Sequence, residues 1–433
     1  MSENTPLTSQ EQRYSADSLG IDLSDVSEGA MLVCETLQNN GYDGYLVGGC
    51  VRDWMLGLHP KDFDVATNAT PEQIRPLFKR ARIIGRRFKL VHVHHKREMI
   101  EVATYRAAPT NKTSQHHKQS ESGRVLRDNV YGNLQEDACR RDFTINALYL
   151  DPVARQVVDF QGGVEDLQNR HLELIGDPDT RFAEDPVRML RALRFKAKLG
   201  FDIPENLDTL IETQQHHFEE VSNARLFDET FKLFHHAHAV ESWHTLCEHG
   251  FIPILFPLTE NQIEQNEMVE DFIIRALENT DRRVGQGKPV IPAFFFAVML
   301  WHVYLAERAG NPDLANGREG VYRAAENVFR KQYPVIAIPK RVSTVIIEIW
   351  DMQWHLEQRR VKSIDGLLEN RRFRAAYDFL LLRQKIGEID ADIPDWWTRI
   401  QDQDEAGKRE MVQALPRPEN QRRGRRPRRK KTS

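Results

Sequence analysis

The sequence predicts an α+β head, followed by a long all-α region and a basic arm without regular structure. Three observations lead to this fold class. Short strand-like segments alternate with helices up to about residue 173, and amphipathic helical patterns continue from there to about residue 410. The last 17 residues contain nine Arg or Lys and one Glu. A chain of 433 residues is also long for one hydrophobic core, so several domains are expected.

The elements of the head follow from local patterns. Residues 27–40 read as an amphipathic helix that ends at Asn40-Gly41, and YLVGG is a short strand that runs into a glycine turn. CVRDWMLGL and PEQIRPLF have helical patterns, whereas KDFDVAT alternates like a strand. The segment 85–106 predicts two strands joined by a basic turn, and 107–124 has the polar composition of a loop.

We therefore divide the chain into five expected segments. Residues 1–26 are expected to be disordered, and residues 27–173 to form the head. Residues 174–245 predict a helical neck, 246–410 a helical body, and 411–433 a disordered basic arm. Within the neck, the pattern of EDPVRMLRALRFKAKLG indicates a helix with Pro186 in its first turn and Gly200 at its end.

The net charge is unevenly distributed along the chain. The segment from Arg417 to Ser433 carries +8, and subtracting this from the total of -4 leaves -12 on the first 416 residues. A block this rich in arginine is typical of an arm that binds the phosphates of RNA or DNA. The candidate RNA-binding residues of the arm are Arg422, Arg423, Arg425, Arg426, Arg428 and Arg429.

Other bulk features exclude several classes of protein. The four cysteines form no close pair, which argues against a zinc knuckle or a disulfide framework and fits a reducing compartment. The polar N-terminal segment lacks the apolar core of a secretory signal. The longest apolar run, residues 293–305, is too short to span a bilayer. We expect a soluble, cytoplasmic protein without a membrane partner.

Two aspartates stand two positions apart in the strand-like segment KDFDVAT. Side chains two apart in a strand project from the same face, so Asp62 and Asp64 are expected to present their carboxylates together. Such pairs hold Mg²⁺, whose remaining ligands are usually substrate phosphates. We therefore expect Asp62 and Asp64 to be metal ligands.

A glycine turn precedes this pair. Gly48 and Gly49 follow a short strand and begin a helix, where free backbone amides and the absence of Cβ atoms favour a closely held phosphate. Arg52 adds a charge-assisted donor for a triphosphate. The alternative is an ordinary surface turn with an Arg–Asp pair, and the order Gly-Gly, Arg-Asp, Asp-x-Asp argues against it.

With these residues the sequence resembles the class of nucleotidyltransferases that includes bacterial poly(A) polymerases and CCA-adding tRNA enzymes. The likeness rests on three segments between about residues 45 and 200: LVGGCVRDWMLGLHPKDFDVATNATPEQI, RRDFTINALY and EDPVRMLRALRFKAKLG. It implies a polymerase-beta-like nucleotidyltransferase head, followed by helical neck and body regions that hold RNA.

The resemblance implies a two-metal reaction in which Asp62 and Asp64 bring an RNA 3′-hydroxyl to the α-phosphate of a nucleotide. A third carboxylate normally completes such a site, and two candidates stay open. Asp142 belongs to the RRD motif that the family uses to handle the nucleotide, and we rank it first. Glu101 is expected on a strand beside the aspartates and is its rival. The arginines of the motif are expected to bind the sugar and phosphates: Arg140 and Arg141.

The neck helix is expected to select the base. Its basic residues fall on one arc that faces a cleft or water: Arg188, Arg191, Arg194 and Lys198. Asp185 and Arg188 lie three residues apart and are neighbours on a helix. The resemblance makes them the pair that reads the Watson–Crick edge, with Arg191 among the nucleotide-binding residues. Because adenine and cytosine present similar edges, this pair does not separate ATP from CTP.

The stretch GRRFKLVHVHHKREMIEVATYR resembles a segment of bacterial poly(A) polymerases that CCA-adding relatives lack. Its cations are expected to hold the triphosphate or the RNA primer end: Arg86, Arg87 and Lys89. We therefore expect a polynucleotide adenylyltransferase that adds AMP from ATP, with Mg²⁺, to RNA 3′ ends without a template, and so promotes mRNA decay. The partners are RNA and ATP, and a monomer is favoured.

Three other readings stay open. A CCA-adding enzyme shares the head and the base-reading pair. An RNA-binding protein with an inactive head is conceivable, although the intact Asp62 and Asp64 pair argues against it. Transfer of a nucleotide to a small molecule leaves the basic arm unexplained.

Overall fold

The structure is a computed structural model that describes residues 10–60, 62–85, 89–107, 117–119, 125–128, 130–314 and 317–415. For 117–119 and 125–128 it gives the backbone alone. The chain divides into two compact units between Leu255 and Phe256. The first unit contains the strands and the second is helical, which agrees with the predicted α+β head and all-α remainder.

The strands of the first unit lie between residues 12 and 159, with helices between several of them. Their bounds are β1 Gln12–Ser15, β2 Tyr45–Val47, β3 Asp64–Thr67, β4 Ala81–Ile84, β5 Leu90–His95, β6 Glu98–Thr104, β7 His117–Gln119, β8 Val125–Asp128, β9 Leu148–Asp151 and β10 Gln156–Asp159. Eight of these form one sheet in the order β1-β10-β9-β2-β3-β6-β5-β4, and β7 pairs with β8 in the segment that the sequence predicts to be a loop.

The register of the central strands positions the candidate site. β3 and β6 run parallel with Asp64 beside Glu101, whereas β2 pairs with β3 and β5 with β6 in antiparallel fashion. β5 and β6 form the predicted hairpin, and its turn contains Lys96 with a positive φ of 52°. One cluster of the sheet core joins Val47 and Ala66 to Tyr149.

The helices of the first unit have these bounds: α1 Glu28–Asn39, α2 Gly49–Met55, α3 Pro71–Ile74, α4 Leu134–Arg140, α5 Gly163–Asn169, α6 Pro178–Glu184, α7 Val187–Leu199, α8 Glu205–Thr213, α9 Asn223–Phe234, α10 Ala239–Glu248 and α11 Ile252–Leu255. The Ser27 hydroxyl accepts the Ala30 amide at 3.1 Å and begins α1, while Gly200 ends α7 with a φ of 64° that suits glycine. α1 packs on β3 and β6, and α7 packs on α9 and α10.

The second unit consists of α12 Pro257–Gln265, α13 Met268–Gly285, α14 Pro292–Met299, α15 Trp301–Ala309, α16 Gly317–Gln332, α17 Lys340–Gln358, α18 Ile364–Leu368, α19 Phe373–Lys385, α20 Asp392–Gln401 and α21 Glu405–Gln413. α17 is its central helix and contacts α14, α16 and α19. A core cluster around its C-terminal half includes Leu356, Phe373 and Trp397. Within the described residues, none of the helices combines the length and apolar character that crossing a membrane requires.

Three predicted boundaries need correction. The N-terminal segment 1–26 is not disordered throughout, because β1 pairs its backbone with β10 at the sheet edge and two short 3-10 turns follow. Residues 1–9 lie outside the described part. The body does not begin at 246, since α10 packs against α7 and α9 in the first unit. α21 continues three residues into the predicted arm, and residues 416–433 lie outside the described part.

Candidate active site

Asp62 and Asp64 present their side chains on the same side of the chain. Asp62 immediately precedes β3 rather than lying within it, and Asp64 is the first residue of that strand. Both are exposed, whereas Phe63 between them is only 6% exposed and contacts Trp54 in the core. The burial of Phe63 therefore maintains the alternation that the sequence predicts.

Glu101 brings a third carboxylate to this pair. It is the direct neighbour of Asp64 in the parallel pairing of β3 with β6, and neighbours in this register share one face of the sheet. On the other side, His92 of β5 faces Glu101, with 3.2 Å between Nε2 of the imidazole and Oε1 of the carboxylate. The sheet thus places His92, Glu101 and Asp64 in a row across three strands.

The charge of these carboxylates is only partly compensated. Loss of surrounding water raises the pKa of Asp64 to about 6, and repulsion from Glu101 and Asp62 adds to this effect, while Arg141 opposes it. Asp64 reaches the surface, but neighbouring protein atoms displace part of its hydration shell. An excess of negative charge on hard oxygen donors suits a divalent cation such as Mg²⁺.

The donor set is incomplete by itself. Over the described ranges, no three carboxylate, histidine or cysteine side chains approach closely enough to enclose an ion. Mg²⁺ is usually held by one or two carboxylates together with substrate phosphates and water. The pair therefore fits a cation that arrives with a nucleotide.

Asp142 has different surroundings from those that its predicted role requires. Its carboxylate is paired with Arg191 of α7 and accepts hydrogen bonds from the Asn146 side chain at 3.1 Å and the Phe143 amide at 2.9 Å. Burial acts to raise the pKa of Asp142, but Arg191 and these hydrogen bonds outweigh burial and lower it to about 2. The sheet thus places Glu101 next to Asp64, whereas Asp142 is bound to Arg191 of α7, and the choice of the third catalytic carboxylate stays a prediction.

Arg52, the predicted donor for a triphosphate, is buried and already bonded to protein groups. It is 6% exposed, and its guanidinium donates to Asp53 at 2.6 and 2.8 Å and to the Asn146 side-chain oxygen at 2.7 Å. The guanidinium also lies 5.1 Å from the centre of the Phe195 ring. Because Asn146 in turn donates to Asp142, these bonds connect α2, the RRD turn and α7 in one buried network.

The glycine turn lies directly over the arginines. Gly48 has φ 76° and ψ -122°, a conformation that side-chain-bearing residues rarely adopt. A Cβ atom on Gly48 would lie 3.5 Å from Nη1 of Arg141, and one on Gly49 would lie 3.5 Å from Nη2 of Arg52. Both glycines therefore keep the backbone close to buried positive charge, which is consistent with the predicted phosphate turn.

Arg141 is the cation whose charge opposes the raised pKa of Asp64. Asp137 accepts from its Nε and Nη2 at 3.3 and 3.1 Å, and the Tyr149 hydroxyl accepts from Nε at 2.9 Å. Burial lowers the pKa of Arg141, but Tyr149 and Asp137 outweigh burial and raise the pKa above its ordinary value. The side chain is thus a permanently charged and fixed group beside Asp64.

The turn that contains Arg140 and Arg141 is bonded to the neck. Arg140 donates to the Ala107 carbonyl at 2.6 Å. Arg181 of α6 donates through Nη2 to the carbonyls of both Arg140 and Arg141, and through Nη1 to Glu184 at 2.8 Å. Arg181 therefore ties the turn that contains the RRD motif to the start of the base-selecting segment.

Asp185 does not lie on the neck helix but in the junction between α6 and α7. Arg225 of α9 contacts both of its oxygens, with 2.7 Å from Nη1 to Oδ1 and 2.7 Å from Nη2 to Oδ2. Arg188 donates to the Arg181 carbonyl at 2.6 Å and lies 3.4 Å from Glu184. Burial lowers the pKa of Arg188 to about 10, and the nearby Arg181 charge adds to this effect.

The cations of the basic arc on α7 are half-buried, and several of them contact protein groups. Arg191 pairs with Asp142, and Lys198 lies 3.7 Å from Asp53 of α2. Burial lowers the pKa of Arg194 to about 10, and its guanidinium lies 5.2 Å from the Phe195 ring. The arc therefore joins the neck helix to the head.

Of the cations predicted to bind RNA, Lys89 lies in the described part of the chain. Lys89 forms an exposed ion pair with Glu72 at 3.0 Å. The other predicted RNA-binding residues lie outside the described part of the chain: Arg86, Arg87, Arg422, Arg423, Arg425, Arg426, Arg428 and Arg429. Their roles stay predictions.

Sequence reasoning missed several residues that hold the site together. Asn146 lies four residues after Asp142, which it contacts. Asp137 lies four residues before Arg141, which it contacts. The motif could therefore have pointed to both residues. His92 lies opposite Glu101 in a hairpin that the sequence predicts. Counting residues from the turn of the hairpin could therefore have paired the two. Arg225 lies 40 residues from Asp185 and carries no local signal.

Models of three protein families match the chain. The poly A polymerase head domain matches residues 44–173, and the arginine-rich C-terminus of polymerase A matches 316–431. A third model, described as the probable RNA and SrmB-binding site of polymerase A, matches residues 200–263.

Whole-chain relatives point the same way. Poly(A) polymerase I of Escherichia coli O6:H1 is 40% identical over 420 residues, which cover 95% of this chain and 90% of the relative. Poly(A) polymerase I of Haemophilus influenzae is 39% identical, with 94% and 92% covered. The CCA-adding enzyme of Lactobacillus helveticus is 38% identical over 211 residues, about half of each chain.

Solved structures show the same fold. The CCA-adding enzyme of Bacillus stearothermophilus in complex with CTP has a TM-score of 0.57 and 23% identity, with 90% of this chain and 82% of that chain covered. The Thermotoga maritima CCA-adding enzyme with tRNA has a TM-score of 0.51 and 18% identity, with 93% and 98% covered. At these identities the likeness concerns the fold alone.

Proposed function

The chain belongs to the poly(A) polymerase I family and is a template-independent RNA 3′ adenylyltransferase, and from that premise we propose which of its residues carry the reaction. The first unit binds ATP between the glycine turn and the neck junction, and the RNA 3′ end meets the α-phosphate beside Asp62 and Asp64. The observation that carries this proposal is the row of carboxylates in the sheet with a fixed arginine next to it.

Asp62 and Asp64 would hold Mg²⁺ together with the phosphates of ATP, and Glu101 beside Asp64 would support the pair. A metal bound there would lower the pKa of the RNA 3′-hydroxyl and offset the charge of the departing pyrophosphate. His92 contacts Glu101 and orients its carboxylate, a role that supporting residues commonly have around metal ligands. Asp142 acts through Arg191 and Asn146, which keep the RRD turn and α7 in place.

The triphosphate lies against positive charge that the fold has already oriented. Arg141 is held by Asp137 and Tyr149, and Gly48 leaves its guanidinium accessible beneath the turn. Such preorganised charge favours the transition state because it needs no rearrangement during the reaction. Arg52 contributes indirectly, because its hydrogen bonds to Asp53 and Asn146 fix the first turn of α2.

Asp185 and Arg188 select adenine. Asp185 accepts from the exocyclic amine, and Arg188 donates to the ring nitrogen beside it. Arg225 holds Asp185 in one orientation, and Glu184 does the same for Arg188. The RNA body would lie on the second unit and on the arm, and a cytoplasmic location and a monomeric state stay predictions.

An extension assay with single nucleotides tests this function. The purified chain is incubated with Mg²⁺, a generic RNA primer and one nucleoside triphosphate at a time. We expect a tail only with ATP, and no ordered C-then-A addition to a tRNA that lacks its 3′ end. Addition of CTP before ATP on that tRNA would point to the CCA-adding alternative, which shares the base-reading pair.

A further inference from the structure

The tryptophans of the chain fall into two classes. Six are nearly inaccessible, with exposed fractions of 0 to 6%: Trp54, Trp243, Trp301, Trp350, Trp396 and Trp397. Trp354 of α17 is 41% exposed. A single exposed apolar residue carries little meaning by itself. The surroundings of Trp354, however, indicate a role for its exposed ring.

Helical geometry directs Trp354 away from the core of the second unit. Met352, Gln353 and Leu356 on the same helix are 0 to 5% exposed, so the opposite face of α17 is the packed one. Just after the helix, the exposed Arg360 places its Cζ atom 4.5 Å from the centre of the Trp354 ring. This geometry is a cation–π contact at the surface, and it holds the indole in one orientation.

Two exposed cations follow Trp354 in the chain, and Arg360 is the one that contacts its ring. Arg360 and Lys362 are exposed, and neither forms an ion pair with a carboxylate of the described chain. Of the carboxylates on the last turns of α17, Glu357 is bound to Arg383 at 2.5 Å. Trp354 therefore stands beside a cation, Arg360, that forms no ion pair with a carboxylate in the described part of the chain.

A cavity opens beside α17 about one helical turn before Trp354. Its volume is about 460 Å³, and its lining includes Asp351, three residues before Trp354 on α17. Arg318 of α16 lies 3.6 Å from Asp351 and 5.5 Å from the Tyr322 ring centre. Here again an exposed arginine sits over an aromatic ring.

The second carboxylate of the cavity is likewise neutralised. Glu348 accepts from Arg372 at 2.7 Å and lies 3.6 Å from Arg371, whose side chain is 76% exposed. Along and beside α17 lie two aromatic rings, four exposed cations and two carboxylates that are already paired. We call this surface the arginine–aromatic strip: Arg318, Tyr322, Trp354, Arg360, Lys362 and Arg371.

We propose that the arginine–aromatic strip binds a single-stranded segment of the RNA, with a base stacked on Trp354 and phosphates along the arginines. Single-stranded nucleic acids are bound without sequence preference by this combination, because every base has a π face and every nucleotide a phosphate. Arg360 serves both parts, since it supports the ring and carries charge. The proposal rests on the RNA-adenylating activity for the identity of the polyanion, whereas the stacking role rests on the strip itself.

The test compares RNA with and without bases. Affinities of the full chain are measured for a fluorescent oligo(A) of about 15 nucleotides and for an abasic phosphodiester strand of the same length. Trp354→Ala is expected to weaken oligo(A) binding about tenfold and to leave abasic binding unchanged, because only stacking is lost. Arg360→Ala is expected to weaken both and to reduce the salt slope by about one.

Controls make the result decisive. Tyr333→Ala removes an aromatic side chain that is 59% exposed and lies outside the strip, and it should not change either affinity. Trp354→Phe keeps a ring and should recover most of the oligo(A) affinity, and thermal unfolding verifies that each variant is folded. Unchanged oligo(A) binding by Trp354→Ala, or an equal loss on the abasic strand, overturns the proposal.

Discussion

Arg225 holds both carboxylate oxygens of Asp185, with 2.7 Å between each nitrogen and oxygen. The two residues come from different segments of the neck, since Asp185 lies between α6 and α7 and Arg225 on α9. A two-point contact fixes the direction of a carboxylate, whereas a single contact leaves it free to rotate. We therefore expect the selection of ATP to depend on Arg225 as well as on the residues that read the base.

Arg225→Ala should lower kcat/KM for ATP at least about tenfold and lower it much less for GTP and UTP, because Asp185 loses its orientation. The Mg²⁺ concentration for half-maximal activity should not change, since the carboxylates of the sheet are untouched. Lys232→Ala on the same helix is the matched control. Uniform loss with all four nucleotides would show that Arg225 only supports the fold.

The three carboxylates of the sheet should behave as a group. Asp62→Asn, Asp64→Asn and Glu101→Gln are each expected to lower AMP addition by at least about a hundredfold, while RNA affinity stays unchanged. Glu101→Gln should also raise the Mg²⁺ requirement. Glu98→Gln on the same strand is the control, since Glu98 lies three residues away from the β3 pairing.

Asp142→Asn should give a different pattern from Glu101→Gln. Removing its charge leaves the partly buried Arg191 without its carboxylate partner, so the melting temperature should fall together with the activity. The Mg²⁺ requirement should stay that of the unaltered chain. A higher Mg²⁺ requirement without loss of stability would restore Asp142 as the third metal-side carboxylate.

The raised pKa of Asp64, about 6, gives a dependence on pH. Protonation of Asp64 competes with Mg²⁺, so the rate of AMP addition should fall as the pH drops through about 6, and more Mg²⁺ should shift this fall to lower pH. The sign for stability is opposite. A carboxyl whose folded pKa is raised contributes stability below its unfolded pKa, and this contribution is lost as the pH rises through 6. Without Mg²⁺, Asp64→Asn should therefore melt higher than the unaltered chain at pH 7.5, and the difference should vanish near pH 4.

Gly48→Ala tests the phosphate turn. The backbone conformation at Gly48 is costly for alanine, on the order of 1–3 kcal/mol, and the new Cβ would approach Arg141. We expect lower stability and a higher KM for ATP. Gly57→Ala is the control, because Gly57 also has a positive φ of 71° but no atoms near its missing Cβ. It should lose stability and keep its KM.

The sequence predicted those parts of the site that depend on local periodicity. The alternation around Phe63 places Asp62 and Asp64 together even though β3 begins only at Asp64. The hairpin that contains Glu101 is also confirmed. In both cases the relevant information lies within a few residues of the side chain.

Long-range contacts were beyond the sequence. Nothing in a seven-residue helix reveals that Arg52 faces inward, because its partner Asn146 is 94 residues away. The same limit applies to Arg191, since its place on a basic arc does not reveal that it pairs with Asp142 of the RRD motif. A charged residue is assigned to the surface by default. A buried partner from a distant segment reverses that assignment.

The parallel pairing of β3 with β6 also limits how this gene can change in length. Loss of one codon from β6 ahead of Glu101 would turn that side chain to the back of the sheet, whereas loss of two would restore its side but move it by one pleat. Parity in this strand is therefore a constraint separate from the identity of any residue. Alignments of distant sequences can use that parity as an anchor.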